Sequence, residues 1–131
     1  MSCDAPLRSY GQSPAEIWRQ SCSEGKLVYQ TDAAGNAIFP LRLGTPDEAL
    51  RLHESRGLGR VYSTTVTYRK NEPPQNVALI DLDEGFRMLS SVRGLEPLEV
   101  AIGLRVRATF VSGQLGDENL VYPIFEPVEG Q

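Results

Sequence analysis

From residue 58 to residue 126 apolar positions recur in short runs, with turn residues and no helical spacing between them. The first run, Arg60–Tyr68, is rich in β-branched and aromatic residues, which favour a pleated surface. The second is Val77–Leu82, closed by the turn Asp83-Glu84-Gly85, and the third is Phe86–Val92. In the fourth, Leu104, Val106, Ala108 and Phe110 alternate with Arg105, Arg107, Thr109 and Val111. That period of two predicts a strand with one buried and one wet face. The fifth is Leu120–Tyr122, followed by Pro123-Ile124-Phe125-Glu126-Pro127. Loops are expected at 71–76, 92–103 and 112–119, marked by prolines and glycines. Five strands without helices suit a small closed barrel, since closure removes exposed edges. The predicted class is mainly β.

Before this run the pattern changes. Ser13, Pro14 and Glu16 form a capping box with proline at the first helical position. They predict a helix from Pro14 to about Ser23, anchored by Ile17 and Trp18 and ended by Gly25. Such a short helix must dock on the barrel, a second copy of the chain or another protein. Lys26–Gln30 and Ala37–Phe39 read as a hairpin around the turn 31–36, ended by Pro40. Thr45 reads as the N-cap of a second short helix reaching Ser55. The expected division is a flexible N-terminus (1–12), a helix-and-hairpin unit (13–56) and a barrel (57–131).

Charge narrows the partners. The chain has 131 residues, a net charge of −4 and a pI near 5.0. That counts against a phosphate backbone as the main partner, although a local basic face remains open. No stretch is apolar enough to span a membrane and no leader is visible, so the expected location is the cytoplasm. Cys3 and Cys22 are then free thiols.

Candidate chemistry is sparse. His53 is the sole histidine, expected on an exposed helix without a nucleophile beside it. Asp81, Asp83 and Glu84 read as a solvated turn rather than a cation site. The Ser and Thr residues of 63–67 read as strand formers. Tyr62 and Tyr68, taken to share a face with Thr64 and Val66, could stack bases or meet a partner. Arg105 and Arg107 form a basic stripe that could grip phosphates or a partner's carboxylates. These residues alone leave open a single-stranded nucleic-acid-binding module.

Three stretches carry a resemblance: Gly57-Leu58-Gly59-Arg60-Val61-Tyr62-Ser63, Ala78 to Gly85, and the closing Pro123–Pro127. With Ile102–Val106, and after a helix and hairpin, their order resembles OB-fold proteins with a rubredoxin-like zinc ribbon that accompany thiolases and acyl-CoA hydratases. The resemblance implies a five-stranded OB-fold barrel and a non-catalytic accessory subunit. Its partner would be a thiolase-like or hydratase acyl-CoA enzyme, with possible contact to coenzyme A thioesters. Trp18, Tyr62, Arg105, Arg107 and Phe125 are the candidate contacts, with core packing as the alternative for Trp18 and Phe125. The family's ribbon holds zinc through two CxxC pairs. The matching positions here are Thr31, Ala34, Thr45 and Glu48, none of them cysteine. The expectation is therefore a degenerate ribbon without metal or other cofactor, packed through Val28, Ile38, Phe39 and Leu43.

Overall fold

A computed structural model describes residues 13–45, 47–115 and 118–128. Helix α1, Pro14–Ser23, starts on the capping box: the Glu16 N–H donates to Ser13 Oγ at 3.2 Å, and the Ser13 N–H to Glu16 Oε1 at 3.0 Å. Gly25, with φ +76°, takes the left-handed turn after it, a conformation glycine adopts without steric cost. The predicted flexible segment 1–12 lies outside the described residues.

Two sheets follow. β1 (Val28–Thr31), β2 (Ala37–Ile38) and β3 (Arg51–Glu54) form an antiparallel sheet in the order β2-β1-β3. The hairpin predicted as two-stranded is thus three-stranded, and its first strand begins two residues later than expected. The second helix predicted from Thr45 is absent. Thr45 and Glu48 close a turn instead, and Arg51–Glu54 pair with β1 from Val28↔Glu54 to Thr31↔Arg51. Helical start signals are weak, and the ladder of Arg51–Glu54 on β1 outweighs them here.

The larger sheet runs β6-β5-β4-β7-β8, with β4 Leu58–Thr67, β5 Gln75–Leu82, β6 Arg87–Ser90, β7 Arg105–Leu115 and β8 Glu118–Pro127. All five predicted strands are present. The expected loop 112–119 is instead mostly ladder, because β7 and β8 stay paired as far as Leu115↔Glu118. The third strand ends at Ser90, short of Val92, where the chain turns to β8. There the Phe125 N–H donates to Ser91 O, the Arg93 N–H donates to Phe125 O, and Val92 bridges Phe125 in parallel. This contact brings the sheet's two ends together into the nearly closed OB-fold barrel. A 3-10 turn at Pro97–Glu99 lies before β7.

Gly59 shows why the lead-in needs glycine. A Cβ there would sit 2.6 Å from the Asp81 carbonyl oxygen, backbone that cannot step aside. The core joins Val61, Ile80, Leu82, Phe86, Val106 and Phe125, and Trp18, Tyr29 and Phe39 pack against it. Phe86 stacks on both Tyr29 and Phe39, at centroid distances of 4.9 and 5.1 Å. The ribbon-like sheet and the barrel therefore share one core. Of the four residues expected to pack the ribbon, Val28 is buried, Ile38 and Phe39 are half-buried, and Leu43 is 56% exposed.

Candidate functional site

An apolar groove of about 850 Å3 opens between α1, the segment after β2 and the β6–β8 side of the barrel. Trp18 comes from α1 and Phe39 and Leu41 from the ribbon. Val77, Leu89 and Ile124 come from the barrel. Trp18 is held edge-to-face on Phe39, 5.4 Å between centroids. Leu89 stays 69% exposed because Met88 takes the inward phase of β6. Arg93 is the one charged residue among the described lining. A mainly apolar groove with one cation on its described lining suits a ligand or partner segment with an apolar body and an anionic end.

The five predicted contact residues do not converge. Trp18 lines the groove. Tyr62 lies on the barrel's outer surface, 48% exposed, with the Arg87 guanidinium 3.7 Å above its ring. A β-bulge between Val61 and Ser63 turns Tyr62 away from the half-buried Thr64 and Val66, so the shared face expected for them does not exist. Phe125 is fully enclosed, with 0% exposure. Its assignment as a contact is corrected: the side chain closes the core and offers a partner no surface. Arg105 is engaged by Asp83 through two contacts of 2.6 Å. Arg107 pairs across the ladder with Glu126. The expected basic stripe is interleaved with acids.

The groove residues Val77, Leu89 and Arg93 were not singled out from the sequence. A signal existed: Leu89 occupies the outward phase of a strand whose inward phase is Met88.

The acidic turn is likewise spoken for. Asp81 faces Arg87 at 3.7 Å, and Glu84 accepts from Ser55 Oγ and the Arg56 N–H, both at 2.8 Å. His53 lies on β3, half-buried rather than on an exposed helix. Its Nε2 hydrogen-bonds Thr31 Oγ1 at 2.7 Å and its ring packs on Tyr29. The Cys22 thiol is fully buried, and burial pushes its pKa up to about 11, which keeps it protonated and poorly nucleophilic.

The four ribbon positions do not fit a zinc ion. Thr31 is bonded to His53, Ala34 has no side-chain donor, and the Thr45 N–H donates to Glu48 Oε1 at 2.9 Å. Glu48 is clamped by the two terminal guanidinium nitrogens of Arg42, at 3.0 and 2.7 Å. Among the described residues no group of three His, Cys, Asp or Glu could hold a metal.

Two of these ion pairs set an acid limit. The Arg42 guanidinium pushes the Glu48 pKa down to about 2 from 4.5, and hydrogen bonding from Arg105 lowers Asp83 below its ordinary 3.8. A depressed folded pKa contributes stability above the unfolded value and loses it as pH falls through the folded one. The urea midpoint is therefore expected to fall as pH drops from about 4.5 toward 2. Arg42→Ala and Arg105→Ala should each flatten that fall, and urea titrations at stepped pH measure it.

Three comparisons bear on this geometry. Residues 52–111 match the family described as ChsH2, C-terminal OB-fold domain. A 61-residue stretch is 44% identical to the 3-oxo-4,17-pregnadiene-20-carboxyl-CoA hydratase alpha subunit of Mycobacterium tuberculosis, covering 44% of this chain and 20% of that protein. An 82-residue stretch is 33% identical to a probable enoyl-CoA hydratase alpha subunit of Thermomonospora curvata, covering 60% of this chain and 25% of that one. The match thus spans only a fifth to a quarter of each of these relatives. A chain of the solved Ltp2-ChsH2(DUF35) aldolase superposes with a TM-score of 0.72 at 27% identity, over 92% of this chain and 98% of that chain.

Proposed function

We propose, from a barrel that matches the ChsH2 C-terminal OB-fold domain, that the chain is a non-catalytic accessory subunit of an acyl-CoA enzyme. The observation that carries this reading is the near full-length correspondence of helix, ribbon and barrel with a chain of an aldolase complex. The hydratase subunit relatives point to the same substrate class. The chemistry of the described side chains agrees with a binding role. The one imidazole is tied to Thr31 and Tyr29, the buried thiol is held protonated, and the acidic turn is paired. None of these forms a nucleophile and base facing the groove.

The groove supplies the mechanism. Its apolar wall would meet a partner surface or an acyl chain, and Arg93 would meet a carboxylate or phosphate. Its partner would be a hydratase, thiolase or aldolase, and the missing zinc ligands would make the ribbon a purely packed element. Affinity purification of the tagged chain at moderate salt should bring down one such enzyme in stoichiometric amount. Leu89→Asp places a charge on the apolar wall at an exposed position and should cut recovery about tenfold, the equivalent of about 1.4 kcal/mol. Absence of any acyl-CoA enzyme would overturn the reading. So would turnover by the isolated chain.

A further inference from the structure

β4 is paired along only part of one side. On the β5 side it is laddered from Gly59 to Thr67, but β7 meets it only from Leu58 to Arg60. Val61 still exchanges main-chain bonds with Gly103 and Leu104. Beyond it β7 has turned away.

The register identifies which groups are left open. The Leu82 N–H is donated to Phe86 on the β6 side, so Asp81, Leu79, Val77 and Gln75 turn their main-chain groups to β4. Thr65 and Thr67 face Val77 and Gln75 and are bonded there. Thr64 and Val66 must then direct their N–H and C=O groups outward. Neither has a main-chain partner on that side among the described residues.

Past the bulge at Tyr62, this edge lacks the devices that block pairing. No lysine, proline or acid stands between Tyr62 and Tyr68, and the run is β-branched. Apolar side chains flank it. Tyr68, Leu98 and Ile102 are 68%, 78% and 71% exposed, and the Gly103 N–H fixes the Ile102 turn to Val61.

We propose that the open edge of β4 between Tyr62 and Tyr68 receives an extended segment of another protein, apolar or β-branched in its middle and acidic at both ends. Main-chain bonds to Thr64 and Val66 would hold it, as in strand addition. The charges choose the occupant. Arg60 stands at one end of the edge and Arg69-Lys70 at the other. Antiparallel pairing of two copies would set Arg60 of one against Arg69 and Lys70 of the other, like charges directly opposed. A strand with acidic ends meets a cation at each end. This assignment does not depend on the acyl-CoA reading.

The test uses the full chain and a short synthetic peptide of alternating valine and threonine with glutamates at both ends, alongside a lysine-ended twin. Amide exchange is followed residue by residue. The acidic-ended peptide should slow exchange at Thr64 and Val66 about tenfold or more, leaving Thr65 and Thr67 unchanged because they are already bonded. Val66→Pro removes one outward N–H and should weaken binding about tenfold. Reversing charge with Arg69→Glu and Lys70→Glu, both outside the core, should shift preference toward the lysine-ended peptide. Three results would each overturn the proposal: no slowing, equal binding of both peptides, or concentration-dependent protection of Thr64 and Val66 without peptide, which would mark a self-pairing edge.

Discussion

Phe125→Ala is expected to lower the unfolding free energy by about 3–5 kcal/mol, the range for emptying a well-packed aromatic site. The ring is fully buried among core residues. Its main chain also makes the closing contacts with Ser91 and Arg93. Truncation would therefore leave a cavity where the sheet's two ends meet, next to the residues that line the groove. With total stabilities of about 5–15 kcal/mol typical, much of the margin would go. Urea unfolding checks it: the midpoint should drop with little change in slope. A loss below about 1 kcal/mol would mean that the ring is not enclosed, and would return Phe125 to the surface role that the sequence suggested.

That suggestion shows where the sequence was legible and where it was not. The capping box at Ser13 and Glu16 is decided by residues three apart, so it reads directly. The alternation from Leu104 to Phe110 is equally local, and β7 follows it. The misread features depend on distant partners. Arg51–Glu54 is a strand because β1 lies beside it, which nothing within the segment reports. The bulge at Tyr62 inserts a residue against Leu79 and reverses the phase of everything after it. A period-two reading carried through that point assigned Tyr62 to the face of Thr64. Phe125 was open to two readings, interface anchor or core, because a large aromatic suits both, and its place in β8 with 0% exposure decides for the core.

The groove has the same origin. Trp18, Leu41, Leu89 and Ile124 are far apart in the chain and share no motif, and docking of α1 beside β8 brings them together. Arg105 and Arg107 were visible as a stripe, but the acids that engage Arg105 and face Arg107 come from a turn and from another strand. A charge pattern on one strand does not reveal its neighbours' charges.

The far end of the ribbon-like sheet is fastened by Gln30. This side chain is fully buried on the central strand β1. Its Nε2 donates to Arg42 O and its Oε1 accepts from the Arg42 N–H, both at 2.8 Å. The amide thus fastens the segment after β2 much as a strand would, and holds Arg42 where it can clamp Glu48. Gln30→Leu keeps roughly the shape but strands both main-chain groups of Arg42. The expected cost is about 2–3 kcal/mol, since polar groups that lose their partner keep their desolvation penalty. The Arg42 amide should exchange faster, and thermal unfolding should come earlier. The wild-type melting temperature should be the same with and without a strong chelator, because the clasp is made of hydrogen bonds and one ion pair. A drop of several degrees in chelator would overturn that account, since a metal bound only to the folded state adds stability that its removal takes away. An unaltered Arg42 exchange rate in Gln30→Leu would show instead that the segment is held from elsewhere.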